Sequence, residues 1–338
     1  MGASSRALAA LTLSAGLLVP ATAALAVPGE EPVPPTATGA AAGPAAEVPV
    51  PQGPPVANAS VEVPDFGTAS WLLADLDTGE ILAARNAEAP VHPASTLKLL
   101  TALTVAPRLA PEQPYRAVRA DEETEGNRVV LYKGLEYKVS DLMHAALLPS
   151  ANDAAEALAR ANGGLDVTVE QMNAEAARVG ATRTTARNPS GLDEDGQVTT
   201  ALDMALIGRA AFANPEIAEY LKLRVVDFPG KREAGARVVY PVYSHNRMLA
   251  HPNFVGPIGG KSGYTSKAGR TLVAAADRDG RRLLVTLFHI GGNTYRTGEQ
   301  LLDWGYANLG SLAPIGTLPT PNAPTPTFDR TITALPGA

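Results

Sequence analysis

The chain has 338 residues, room for one large domain or a domain with a subdomain. Its 28 basic and 34 acidic residues leave a net charge of −6, with no basic face that would suit nucleic acid. The absence of cysteine excludes a disulfide framework and thiol chemistry, and the scattered histidines (His92, His144, His245, His251, His289) show no metal-ligand spacing.

No metal or other cofactor is therefore expected, and each histidine reads first as a structural or surface residue. Residues 1–26 carry one basic residue, Arg6, an apolar run from Ala7 to Val19 and a small-residue ending, Ala24-Leu25-Ala26. That layout predicts a secretory signal peptide cut after Ala26. The alternative is an uncleaved anchor, but the run is short for a span of about 20 residues and Pro20 interrupts it. Either way the product is exported, to the cell wall, the periplasmic side or the medium. Residues 27–64 are Pro, Ala, Gly and Val with little charge, which predicts a disordered linker. Residues 311–338 form a Pro- and Thr-rich tail with no basic amphipathic helix, so no C-terminal membrane anchor is expected. The folded domain is placed at 65–310.

Within it, Trp71 to Leu76 and Ile81 to Arg85 flank the turn Asp77-Thr78-Gly79 and predict an antiparallel hairpin. Pro93 precedes Thr96 to Ala106, apolar on nearly every face and so a buried helix. Helices are predicted from Ser140 to Pro149, from Ser150 to about Ala161, and over Val169–Val179 with Gly180 as the stop. Thr200 and Asp203 make a capping box for a helix to Phe212. Arg270–Asp277 and Arg282–His289 are strand-like runs around Asp279-Gly280, and Thr294–Leu309 closes as a helix. Strands at both ends and helices between them predict an α+β fold, an antiparallel sheet flanked by helices with a helical subdomain inserted at about 108–225.

Three short elements carry the chemistry: Ser95-Thr96-Leu97-Lys98, Ser150-Ala151-Asn152 and Lys261-Ser262-Gly263. Residues three apart on a helix share a face, so the Lys98 amine can meet the Ser95 hydroxyl. Serine needs a base, and lysine serves only when neutral, although its ordinary pKa is about 10.4. Bringing that to about 7–8 takes about 4 kcal/mol. Burial, the positive end of the helix dipole and a second cation at Lys261 all push that way. Alone, each element has a bland reading. With 13 serines and 7 lysines, chance gives about 0.3 Ser-x-x-Lys matches. Ser150 with Asp153 reads as a helix cap, and Ser244-His245-Asn246 is a second Ser-x-Asn copy. Lys261 lies in a Gly-flanked strand suited to close approach of an extended peptide. A phosphate loop would need Gly where Val255 stands. In this order the three elements are the set found in serine acyl-transfer enzymes that lack a histidine base.

From about Ala69 to Leu309 the chain resembles the D-alanyl-D-alanine carboxypeptidases, low-molecular-mass penicillin-binding proteins of serine peptidase family S11. The extended matches include Asp75-Leu76-Asp77-Thr78-Gly79-Glu80, Pro149-Ser150-Ala151-Asn152-Asp153, Asn188-Pro189-Ser190-Gly191-Leu192 and Tyr264-Thr265-Ser266-Lys267-Ala268-Gly269. The resemblance implies a DD-peptidase/β-lactamase-like fold and a partner, the peptidoglycan stem peptide ending in D-Ala-D-Ala. It implies that Ser95 is acylated, that Lys98 is the base and that Ser150 relays a proton to the leaving amine. It further implies that Asn152 holds the substrate amide, Lys261 and Ser262 the terminal carboxylate, and that the strand through Gly263, Tyr264 and Thr265 binds the peptide. The Ser95 and Tyr264 N–H groups would form the oxyanion hole, and β-lactam antibiotics would acylate Ser95 as inhibitors. The family usually has Thr where Ser262 stands, and Arg296 is an ambiguous extra carboxylate contact. Two alternatives are a class A-like β-lactamase and a non-catalytic cell-wall-binding homologue. The first needs a Glu between the second and third elements, where nothing acidic lies between Glu175 and Asp193.

Overall fold

A computed structural model describes residues 48–58 and 62–318, so the expected signal peptide at 1–26 lies outside the described residues. Strands β1 (Val56–Ala57), β2 (Thr68–Asp75) and β3 (Glu80–Arg85) come first. A 3-10 turn at Ala94–Leu97 runs into helix α1 (Lys98–Val105). There follow β4 (Pro114–Arg116), α2 (Arg119–Glu122), β5 (Glu136–Lys138), α3 (Val139–Leu147) and α4 (Asn152–Ala161). Next are α5 (Leu165–Arg178), α6 (Ala201–Ala213), α7 (Pro215–Leu221), β6 (Val225–Glu233) and β7 (Ala236–Tyr243). The last are β8 (Pro257–Thr265), β9 (Gly269–Arg278), β10 (Arg281–Ile290), α8 (Thr294–Asn308) and β11 (Gly316–Thr317).

The main sheet is antiparallel throughout, in the order β1-β3-β2-β10-β9-β8, and β11 joins the free side of β3 beside β1. Strands from both ends of the chain therefore meet, as the sequence predicts. Side chains alternate between two cores. In β2, Leu72 and Ala74 face one core while Trp71 and Leu73 face the other; in β10, Leu284 and Phe288 oppose Leu283, Val285 and Leu287. Burial on both faces explains why these strands read as continuous apolar runs. Helix α6 packs on the first face, with α1, α3 and α4 extending the same core behind it, and α8 covers the second face. At the β9–β10 turn, Asp279 and Gly280 both take positive φ, 53° and 79°, as an Asp-Gly hairpin turn requires.

Several expectations need correction. Val56–Ala57, inside the segment read as disordered linker, pairs with Ala83 and Ala84 of β3. Gly316–Thr317, inside the Pro/Thr-rich tail, pairs with Glu80 and Ile81, and Leu318 is buried behind it. A stretch as short as two residues becomes strand within a low-complexity composition once a sheet edge supplies its hydrogen bonds. The hairpin β6–β7 was not anticipated. Its turn is Ala234-Gly235, with φ of 46° and 85°, and alanine gives no sign that it will adopt a left-handed conformation. Pro229 and the charged Lys231, Arg232 and Glu233 also mask the strand. Ser150 is not the cap of α4: it takes φ 65°, the cap position is Ala151, and the helix starts at Asn152. Asp153 accepts instead from the backbone N–H groups of Val129, Leu131 and Ala154.

Candidate active site

Helix α1 is buried along its whole length, so its first residue, Lys98, is carried into the core and is only 1% exposed. Ser95 sits one turn earlier on the 3-10 segment, half-buried. The Lys98 Nζ lies 2.9 Å from Ser95 Oγ, 2.7 Å from Asn152 Oδ1 and 2.7 Å from the Ser190 carbonyl. Two of these partners, an amide oxygen and a peptide carbonyl, can only accept; Ser95 alone carries a proton to give. A neutral amine has two N–H donors and one lone pair. As an ammonium the group donates to all three; in its neutral form the donors would go to Asn152 and Ser190, leaving the lone pair to face the Ser95 hydroxyl.

The surroundings favour that neutral form. Burial holds the Lys98 pKa well below the ordinary lysine value, and the charge on Lys261 lowers it further. Asp153 and Glu156 oppose the shift but are the weaker influences. Among the described residues no carboxylate is in hydrogen-bond contact with the amine.

The third element stands beside the first. A Cβ added at Gly263 would lie 2.6 Å from the Ser95 backbone nitrogen and 2.9 Å from the Ala94 Cβ. Only glycine lets β8 come this near the Ser95 backbone. Lys261, two residues before, is 1% exposed and donates to the Ser262 carbonyl at 2.7 Å. Strand β8 is the last in the sheet order, so one of its sides is free of a sheet partner among the described residues.

Other residues singled out in the sequence are placed more specifically. Asn152, expected to hold a substrate amide, is engaged at both ends: Oδ1 accepts from Lys98 and Nδ2 donates to the Glu125 carbonyl at 2.9 Å. Ser150 is buried between α3 and α4 in its left-handed conformation. Ser262 Oγ lies 2.9 Å from the Tyr295 hydroxyl. The Tyr264 side chain is 44% exposed, while Thr265 Oγ1 donates to Asp193 Oδ1 at 2.7 Å. Asp193 also accepts from Ser266 Oγ and from the Lys267 N–H, so it ties the turn after β8 to the 188–197 loop. Arg296 is exposed, and its N–H serves the Asn293 cap of α8.

Sequence reasoning missed three contributors. The Ser190 carbonyl on Lys98 comes from a backbone atom and leaves no mark on residue type. Tyr295 is a lone aromatic at a helix start. His245, in the second Ser-x-Asn copy, donates its backbone N–H to the Leu148 carbonyl at 2.9 Å, and its ring pKa is lowered to about 4 by burial and by Lys261, Arg247 and Lys98. The signal for His245 was that second Ser-x-Asn copy itself.

Comparison with known proteins agrees with this geometry. A family model described as D-alanyl-D-alanine carboxypeptidase, Peptidase S11, matches residues 57–290. The chain is 41% identical over 266 residues to D-alanyl-D-alanine carboxypeptidase DacB2 of Mycobacterium tuberculosis, covering 77% of this chain and 89% of the relative. It is 31% identical over 276 residues to DacC of Escherichia coli, covering 77% of this chain and 66% of that protein. A crystal structure of a D-alanyl-D-alanine carboxypeptidase from Mycobacterium tuberculosis superposes with a TM-score of 0.70 at 38% identity, over 78% of this chain and 98% of the other.

Proposed function

The chain belongs to the D-alanyl-D-alanine carboxypeptidase family, Peptidase S11, and from that premise we propose that it removes the terminal D-Ala of peptidoglycan stem peptides through an acyl-enzyme at Ser95. The single observation that supports this most is the Lys98 amine with two pure acceptors and one hydroxyl around it. The Ser95 oxygen attacks the carbonyl of the penultimate D-Ala as its proton passes to Lys98 Nζ. The C–N bond then breaks, and the departing D-Ala amine takes a proton relayed from Lys98 by the Ser150 hydroxyl. Water hydrolyses the ester, returning the serine and releasing the shortened peptide. Asn152 and Ser190 keep Lys98 pointed at Ser95.

The free side of β8 suits an extended peptide laid along it. Lys261 and Ser262 then hold the terminal carboxylate, and the Ser95 and Tyr264 N–H groups receive the developing oxyanion. Tyr264 and Thr265 line the far end of the strand, Thr265 fixed by Asp193. A β-lactam, shaped like the substrate, acylates the same serine and leaves slowly. The protein works outside the cytoplasm, where stem peptides are. A β-lactamase that uses an acidic water-activating residue finds less support: Glu175 is paired with Arg178, and Asp193 with the turn after β8. A non-catalytic wall binder would gain nothing from a buried lysine whose charge its surroundings disfavour.

Intact-mass measurement after a brief penicillin incubation tests this reading. The expected result is one added penicilloyl group that maps to Ser95 and is absent in Ser95→Ala, together with D-Ala release from a D-Ala-D-Ala peptide. Labelling that survives Ser95→Ala, or rapid penicillin turnover without D-Ala release, would sink it.

A further inference from the structure

Ser262 presents its hydroxyl on the edge strand β8, and the Tyr295 hydroxyl lies 2.9 Å away. Tyr295 is 8% exposed, in the first turn of α8, and its backbone is pinned because Asn293 Oδ1 accepts from the N–H groups of Tyr295 and Arg296 at 3.2 and 3.0 Å. A serine side chain is unbranched at Cβ and has three staggered positions open to it, whereas a β-branched residue is stiff. Alone, Ser262 would not hold one direction. A buried phenol on a capped helix removes that freedom.

We propose that Tyr295 is a positioning residue that sets specificity for the free terminal carboxylate of the substrate. The proposal rests on the reading of Ser262 and Lys261 as the carboxylate subsite. The phenol donates its proton to Ser262 Oγ, which leaves the single Ser262 proton for a carboxylate oxygen. The chain of donors from Tyr295 to Ser262 to carboxylate is polarised in one direction, and this strengthens the last bond. Lys261 supplies charge without direction; the Tyr295–Ser262 pair supplies direction, and so tells a carboxylate from its amide.

The test compares two peptides, one ending in D-Ala-D-Ala with a free carboxylate and one with that carboxylate amidated. The quantity read is the ratio of their kcat/KM values, acid over amide. Tyr295→Phe should lower that ratio about tenfold, mostly through KM of the acid, the size of one hydrogen bond to a charged group. Adding Ser262→Thr to Tyr295→Phe should recover much of the ratio, because threonine restricts its own χ1. An unchanged ratio in Tyr295→Phe, or an equal loss on both peptides with no recovery in the double variant, would overturn the proposal. If the unmodified enzyme handled both peptides alike, the carboxylate subsite itself would be wrong. If it released no D-Ala from either, the proposed reaction would be wrong, and penicillin labelling of Ser95 would show whether the nucleophile survives that failure.

Discussion

Helix α4 has a partly buried cation, Arg160, near one end and contacts a fully buried one, Lys98 of α1, at the other. The two differ in their partners as well as in their burial. Near its C-terminal end, Arg160 meets Asp121 at 2.5 Å and Glu156 at 2.8 Å, and Asp121 has no exposed surface. Burial disfavours the Arg160 charge, yet those carboxylates and the Tyr115 hydroxyl more than offset it, and its pKa is raised. At the first residue of the same helix, Asn152 offers Lys98 only a neutral oxygen. There burial dominates, Lys261 adds to it, and the pKa falls. The contrast teaches that burial and contacts together decide what a cation does. Carboxylates hold the Arg160 charge in place, whereas deep burial among neutral acceptors disfavours the charge on Lys98, as the proposed base requires.

Replacing Lys98 with Ala should have the largest effect, lowering the rate of Ser95 acylation by about 10²–10⁴-fold, the usual worth of a positioned base. Penicillin acylation kinetics would measure it, and a near-normal rate would mean that another base serves. At the other end, Arg160→Met leaves Asp121 buried without its partner. About 3 kcal/mol of stability should go, read by denaturant unfolding, while acylation stays within about threefold. A loss of acylation equal to that of Lys98→Ala would erase the distinction between the two ends.

A third change moves a pH profile. Acylation should fail on the acid side, where Lys98 takes up a proton, and this limb should lie well below the ordinary lysine range. The Lys261 charge disfavours that proton, so Lys261→Met should raise the Lys98 pKa and shift the limb to higher pH. A limb that stays put or moves down would show that Lys261 is not felt at Lys98. The smallest effect is expected on the surface, where Arg119 pairs with Glu123 across one turn of α2, both well exposed. Arg119→Ala should change stability by less than about 0.5 kcal/mol, since solvent screens such pairs.

Much of this site could be read in the sequence because its parts are local. Ser95 and Lys98 meet through helical spacing, and an apolar run after Lys98 foretells its burial. Glycines around Lys261 foretell close packing, which is what Gly263 does against Ser95. The sheet was legible from β2, β3, β9 and β10, whose turns use residues suited to them. What stayed hidden joins distant residues through single contacts. The Ser190 carbonyl reaches Lys98 across 92 positions, and Tyr295 reaches Ser262 across 33. Neither leaves a pattern in composition. Strands β1 and β11 were hidden for another reason, because their pairing depends on an edge that the strands themselves do not encode.

Strand β1 and strand β11 together cover one margin of the main sheet, and β8 forms the other. An uncovered margin is a hazard, because any extended chain can dock there, including a second copy of the same protein. On the proposed reading the Ser262–Thr265 end of this margin is also where the substrate lies, so sealing it would end turnover. On that reading self-association along β8 and substrate binding would compete for one surface, and a saturating substrate analogue would suppress the first.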